Sequence, residues 1–300
     1  MCSSDHEYLR LVDDGHEPGI ARTYVFAGKA APGYWAAKQI IKLINNVAQV
    51  VNEDARAKHW MKVVFVPDYR VSLAEIIMPA ADLSQQISTA GMEASGTGNM
   101  KLTMNGALTL GTLDGANIEI MNAVGAENFY TFGLTPHDVA WRQRSGNYHP
   151  RVLYNENPVL RRVIDSLASN RFCPEEHGLF RWIVDEMLDR GDRYFHMADL
   201  PTYIEASTFA ERDFEQPSVW SRKAILNVAR VGYFSSDRTV CEYARDVWKI
   251  KPADSSREPA PSAAEAALGA EIADRAPQTS SLTARIPLIT QVEKEVSGSE

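Results

Sequence analysis

Three hundred residues, 45% hydrophobic and 23% charged, give an ordinary globular composition, long enough for one or two domains. A net charge of −8 speaks against a nucleic-acid binder, although a local pocket in an acidic protein still accepts a small anion. No run of 18 apolar residues suggests a membrane span, and the first 20 residues lack the basic start and apolar stretch of a secretory signal, so a cytoplasmic protein is expected.

The three cysteines, Cys2, Cys173 and Cys241, form no CxxC pair; they read as free thiols, and no metal site is expected. In chain order, Thr23–Ala27 is a short apolar run closed by Gly28, the pattern of a buried strand. Pro32 opens a helix whose apolar face is Ala37, Ile40, Ile41, Ile44, Val47, Ala48 and Val51. Val63–Val66 is a second strand, and Ser72–Met78 is a short helix stopped by Pro79. A strand near Gln86–Ser88, a helix after Gly98, a strand at Leu108–Leu110, a turn at Asp114–Gly115, a helix at Ile118–Val124 and a strand at Phe129–Phe132 follow. Strands and helices alternating at this spacing imply a parallel sheet covered by helices, which binds ligands beyond the carboxyl ends of its strands.

From Thr135 onward the pattern is helical. Val159, Leu160, Val163, Ile164, Leu167 and Ala168 share a face; Phe180–Leu188 and Tyr203–Phe214 are further helices. Another begins at Pro217 and Ser218, runs to Val231 and ends at Gly232; Ser235 or Ser236 then caps a last helix. From Lys251 the chain is rich in Ala, Ser, Pro and Glu, has no aromatic residue and reads as a disordered tail; its apolar patch Ile286–Ile289 is assigned no role.

Chemistry concentrates in Glu93-Ala-Ser-Gly-Thr-Gly-Asn-Met-Lys101. Gly96 and Gly98 permit a tight turn and close approach to a ligand, and Ser95 or Thr97 could cap the following helix. The free amides of such a helix start favour a phosphate. Lys101 falls in the first turn, where the helix dipole opposes a cation and, with burial, lowers the lysine pKa toward a nucleophilic amine. A phosphate cradle beside such a lysine is the minimal equipment for pyridoxal phosphate. Taken alone, the same residues also describe a plain turn and a solvent-exposed lysine.

The run Glu93–Lys101, with Asn105-Gly-Ala-Leu-Thr-Leu-Gly-Thr-Leu-Asp-Gly-Ala-Asn117, resembles the pyridoxal-phosphate signature of glycogen and starch phosphorylases. Gly28-Lys-Ala-Ala-Pro-Gly-Tyr34, Asp68-Tyr-Arg-Val-Ser-Leu-Ala-Glu75, Pro79–Gly91 and Phe234-Ser-Ser-Asp-Arg-Thr239 match as well, so the similarity runs from about Ala21 to Pro252. The resemblance implies an α/β fold: an incomplete Rossmann-like C-terminal domain of a glycosyltransferase-B arrangement. Residues 1–20 would be a helix remnant and linker, 21–134 the cofactor-binding segment, 135–251 a helical segment packed on the sheet, and 252–300 the disordered tail.

It further implies that Lys101 carries pyridoxal 5'-phosphate as a Schiff base, with Thr97, Gly98 and neighbouring amides on its phosphate. Arg70 would face the cofactor and substrate phosphates, and Tyr69 would line the pocket. Glu93, Ser95 and Gly96 would hydrogen-bond the glucosyl unit, and Tyr34 would lie at the cleft mouth. Lys101, Arg70 and Glu93 are thus the catalytic candidates. Lys29 matches its motif, but its basic group reads equally well as structural. The implied reaction is reversible phosphorolysis of an α-1,4-glucan by orthophosphate to α-D-glucose 1-phosphate, commonly by a homodimer, with no nucleic-acid or membrane partner.

Two departures stand out. Family members are far longer, with a large N-terminal domain. Their phosphate-gripping Lys-Arg-Ile-His-Glu-Tyr-Lys-Arg segment has no counterpart at His6-Glu7-Tyr8, where Leu9 and Arg10 follow, so residues 6–13 read as the end of the next helix. The chain alone is therefore expected to be inactive, with an open sheet edge. The alternatives are a non-catalytic cofactor-binding module or a half-enzyme needing a separate N-terminal chain. An aminotransferase-type enzyme lacks its motifs here, and a nicotinamide site lacks GxGxxG after the first strand.

Overall fold

A computed structural model describes residues 2–251; the expected tail at 252–300 lies outside the described residues. Two compact units divide at Ser235/Ser236.

The first unit opens with helix α1 (Cys2–Asp13) and then alternates: β1 (Arg22–Ala27), α2 (Trp35–Glu53), β2 (Met61–Val66), α3 (Val71–Ile77), β3 (Leu83–Gln86), α4 (Gly98–Met104), β4 (Leu108–Gly111), α5 (Asn117–Val124) and β5 (Tyr130–Thr131). Helices α6 (Pro136–Ser145), α7 (Pro150–Glu156), α8 (Pro158–Ala168), α9 (Arg181–Leu188), α10 (His196–Phe214) and α11 (Pro217–Arg230) follow. The described part of the second unit is α12 (Ser236–Tyr243), carrying an Arg238–Glu242 ion pair at 2.5 Å, and one π-helical turn at Ala244–Trp248.

All strand pairs are parallel, as the alternation implies, but they form two sheets rather than one: β1-β2 and β3-β4-β5. Both share one core. Tyr24 and Val63 from the first sheet and Leu108, Leu110 and Tyr130 from the second are buried in the same apolar cluster. Leu43, Ile44, Val47 and Val51 of α2 and Leu160, Val163, Ile164 and Leu167 of α8 complete it. The expected face of α2 packs inward except at its edge: Leu43 is buried with Ile44, Val47 and Val51, whereas Ile40 is exposed, and the helix starts at Trp35 rather than beside Pro32.

Helix α10 begins seven residues before the expected Tyr203 and carries Pro201 inside it. Its first turn is held from outside. Buried Asp192 accepts the Met197 amide at 2.7 Å, and Asp199 accepts the Leu134 amide at 2.8 Å. Pro201 can donate no backbone hydrogen bond within this helix. Burial pushes the Asp199 carboxyl up to about 6.

Candidate functional site

The loop before α4 is built from below by buried polar side chains. Asp114, 3% exposed, accepts the Gly91 amide at 2.8 Å and the Glu93 amide at 2.9 Å through its two oxygens. The Ser95 carbonyl accepts the Ala116 amide at 2.7 Å and the Asn99 side-chain amide at 3.3 Å. Asn99 also donates to Asn117 at 3.0 Å, and Asn117 to the Thr112 carbonyl at 3.1 Å. Thr103 and Thr109, both fully buried, join α4 to β4 at 3.2 Å. The 91–98 loop is thus clamped onto the 112–117 loop.

Two glycines permit that contact. Gly115 has φ +49, and a Cβ there would stand 2.6 Å from the Ser95 carbonyl oxygen. Gly96 has φ +79, with the Asn99 side chain 3.2 Å from where its Cβ would be.

On this support the candidate groups face outward. Glu93, Ser95, Thr97 and Lys101 are exposed. Neither Ser95 nor Thr97 caps α4: the Ser95 hydroxyl donates to the Gly96 carbonyl, and Thr97, at the N-cap position, makes no side-chain cap bond. Instead the Asn99 side chain accepts the Met100 amide at 2.9 Å. Among the described residues, the amides of Gly98 and Asn99 donate to no carbonyl outside the helix, as befits the first helical turn. A Cβ at Gly98 would meet nothing within 4 Å. Lys101 has no ion-pair or hydrogen-bond partner for its amine among the described residues, and it is exposed rather than buried as expected. An open anion-binding helix start one turn from an unpaired amine fits a phosphorylated aldehyde cofactor.

A second cluster lies beyond the carboxyl ends of β1 and β2. Asp68, at φ +50, bridges Lys29 at 2.9 Å and Arg70 at 2.8 Å, and Arg70 also reaches the Ser72 hydroxyl at 3.1 Å. Lys29, then Arg70, holds the Asp68 carboxyl below its ordinary value. Tyr69 is half-buried beside them, and Tyr34 is exposed at the start of α2. Among the described residues no hydrogen bond or ion pair joins this cluster to the 91–101 loop. Cavities of ≈ 620 Å³ beside Lys223 and Arg230 and ≈ 240 Å³ beside Arg142 and Tyr148 contain none of these residues.

Sequence reasoning read Asp114–Gly115 only as a turn and did not single out Asn99 or Asn117. Asp114 and Asn117 lie among apolar and small residues, where a polar side chain must find a partner if buried; Asn99, in a polar glycine-rich run, carried no such signal.

A family model described as carbohydrate phosphorylase matches residues 5–250. The chain belongs to the carbohydrate phosphorylase family. It is 50% identical over 243 residues to a glycogen phosphorylase of Chlamydia trachomatis, covering 81% of this chain and 30% of that protein. It is 49% identical over 245 residues to one of Bacillus subtilis, covering 82% of this chain and 31% of the relative. The human brain form of glycogen phosphorylase is 47% identical over 247 residues, covering 82% and 29%. The chain therefore spans about 30% of the length of these family members. No helix among the described residues is long and apolar enough to cross a membrane.

Proposed function

We propose that this chain is the cofactor-bearing part of an α-1,4-glucan phosphorylase, which converts α-1,4-glucan and orthophosphate reversibly to α-D-glucose 1-phosphate. The observation that carries the reading is the clamped Glu93–Lys101 loop, with its open helix start and unpaired amine. Lys101 holds pyridoxal 5'-phosphate, and the amides of Thr97 and Gly98 receive its phosphate. When bound, the cofactor supplies a phosphate group that exchanges a proton with, or polarises, the substrate phosphate.

The remaining roles belong to the chain's own side chains. Arg70 presents two N–H groups to phosphate oxygens. Glu93, Ser95 and Gly96 orient the glucosyl unit by hydrogen bonds, Tyr69 lines the pocket, and Tyr34 borders the cleft. Stabilisation of an oxocarbenium-like state by nearby anions matches a reaction that retains configuration. The segment belongs to one Rossmann-like half of a glycosyltransferase-B arrangement. The protein works in the cytoplasm; homodimers are common in the family.

A second reading, a half-enzyme that needs a separate chain, is favoured by the distance in bonding between the two clusters. Arg70 is tied to Asp68 rather than to the Lys101 loop. On both readings the purified chain alone shows no measurable phosphorolysis.

The test is to mix the chain with pyridoxal phosphate, reduce with borohydride and map the label by peptide mass, with Lys101→Ala alongside. A label on Lys101, lost in the variant, is the expected result. A label spread over other lysines, or none, overturns the assignment.

A further inference from the structure

We propose that the cavity of ≈ 620 Å³ between α11 and the turn at Glu127 and Asn128 is an anion site in its own right, built for a small phosphomonoester with an apolar body. It shares no residue with the Lys101 loop or the Arg70 cluster, and the inference is independent of the proposed activity.

One side of α11 forms the wall. Ser218, Arg222, Leu226 and Arg230 recur every four residues and all line the cavity, so they follow one another along the helix. Arg222 and Arg230 stand about 12 Å apart along the axis, with Leu226 midway. The wall therefore carries a guanidinium at each end of a short apolar stretch, to which Val219 adds.

The charges of this wall are not balanced from within. Lys223 is matched: it donates to Asp213 at 2.6 Å and stands 4.9 Å from the centre of the Tyr130 ring. Arg222 is exposed and has no ion-pair or hydrogen-bond partner among the described residues. Arg230 donates to the Val124 carbonyl at 2.6 Å, which fixes its guanidinium against the end of α5 with further N–H groups to spare. Among the described residues, Glu127 is the acid that lines the cavity. Its side chain is 72% exposed, accepts the Asn128 side-chain amide at 3.0 Å and stays 4.0 Å from Arg230, too far for a hydrogen bond.

The place of Arg222 in the helix adds to the imbalance. A helix start favours an anion and opposes a cation. Helix α11 has no acid in its first turn and no capping side chain, and Arg222 comes in the next turn. The amide and hydroxyl of Ser218 make no hydrogen bond among the described residues. One phosphate seated between Ser218 and Arg222 accepts from those donors, offers the guanidinium two oxygens and supplies the missing negative charge. Inorganic phosphate would leave most of the cavity empty, whose volume is that of a small-molecule pocket, about 300–1,000 Å³. The rest of the ligand lies over Val219 and Leu226, which suits an apolar or ring-shaped body, and Arg230 closes the far end.

An NMR titration of the isotope-labelled 300-residue chain with phenyl phosphate at low ionic strength tests this. Saturable shifts of the Ser218 and Val219 amides are expected. Arg222→Ala should weaken binding by about tenfold, and Arg222→Lys by less, since an ammonium keeps the charge but not the paired N–H groups. Glu127→Gln removes the opposing acid and should tighten binding by about two- to threefold. Both positions are exposed, and unchanged amide positions elsewhere verify that each variant is folded. Lys101→Ala should bind phenyl phosphate at α11 as the parent does. Phenol, the same ring without the charge, should leave these amides unmoved. Equal affinity in Arg222→Ala, or equal shifts with phenol, overturns the anion site. Shifts confined to the 91–101 loop overturn it too, and leave the reading of that loop standing.

Discussion

The two halves of the candidate site are held by opposite means. The 91–98 loop rests on a buried, fully bonded frame of Asp114, Asn117, Asn99 and the Thr103–Thr109 pair. The Lys29–Asp68–Arg70 cluster is held by exposed ion pairs and one exposed hydrogen bond from Arg70 to Ser72, with the three charged side chains more than half exposed. Buried hydrogen bonds fix a backbone at a high cost of removal, whereas exposed ion pairs contribute little and rearrange readily. The loop therefore presents a finished shape, and the charged cluster presents cations whose partner an incoming anion can replace.

Gly115→Ala should break this contrast most strongly. The added methyl would stand 2.6 Å from the Ser95 carbonyl oxygen and 3.2 Å from the Glu93 side chain, and φ +49 already disfavours a side chain. Two backbone segments must part. The expected loss is about 3 kcal/mol in urea unfolding with an unchanged m value, together with loss of the borohydride-trapped label on Lys101.

Asp114→Ala attacks the same frame from its carboxylate and should cost less, about 2 kcal/mol, because the Gly91 and Glu93 amides then lie unpaired close to solvent. Asp114→Asn keeps one acceptor oxygen and should recover part of the loss. Equal stability for the three proteins would mean that the clamp does not hold the loop.

The frame was also the part least legible in the sequence. Strands β1 and β2 could be read because continuous apolar runs bounded by glycine and proline leave few alternatives, and α8 because its apolar spacing is regular. Asp114 gave only a turn signal: a carboxylate next to glycine says nothing of which distant amides it will meet. The start of α10 was hidden by Pro201, which lies inside a helix whose first turn is held by Asp192, just before it, and by Leu134, far off in sequence. The division into two sheets was equally invisible, since strand order depends on which neighbours are present. Lys101 and Arg70 were found through motif resemblance; their local chemistry alone left a plain turn and a surface ion pair open.

Asp68→Asn gives the smallest expected change in stability and sharpens the other side of the comparison. Asp68 is mostly exposed, so its loss should leave the melting temperature within about 1 °C of the parent. Its charge nevertheless opposes any anion approaching Lys29 and Arg70, because one carboxylate neutralises part of two cations 2.9 and 2.8 Å away. Removing that charge should tighten binding of orthophosphate or pyridoxal phosphate by about two- to fivefold at low ionic strength. The gain should fade near about 0.5 M salt, where screening shortens the reach of exposed charges to a few ångströms. Weaker anion binding in Asp68→Asn would mean the reverse: that Asp68 positions the Arg70 guanidinium rather than competing for it, and that the cluster is as preformed as the loop.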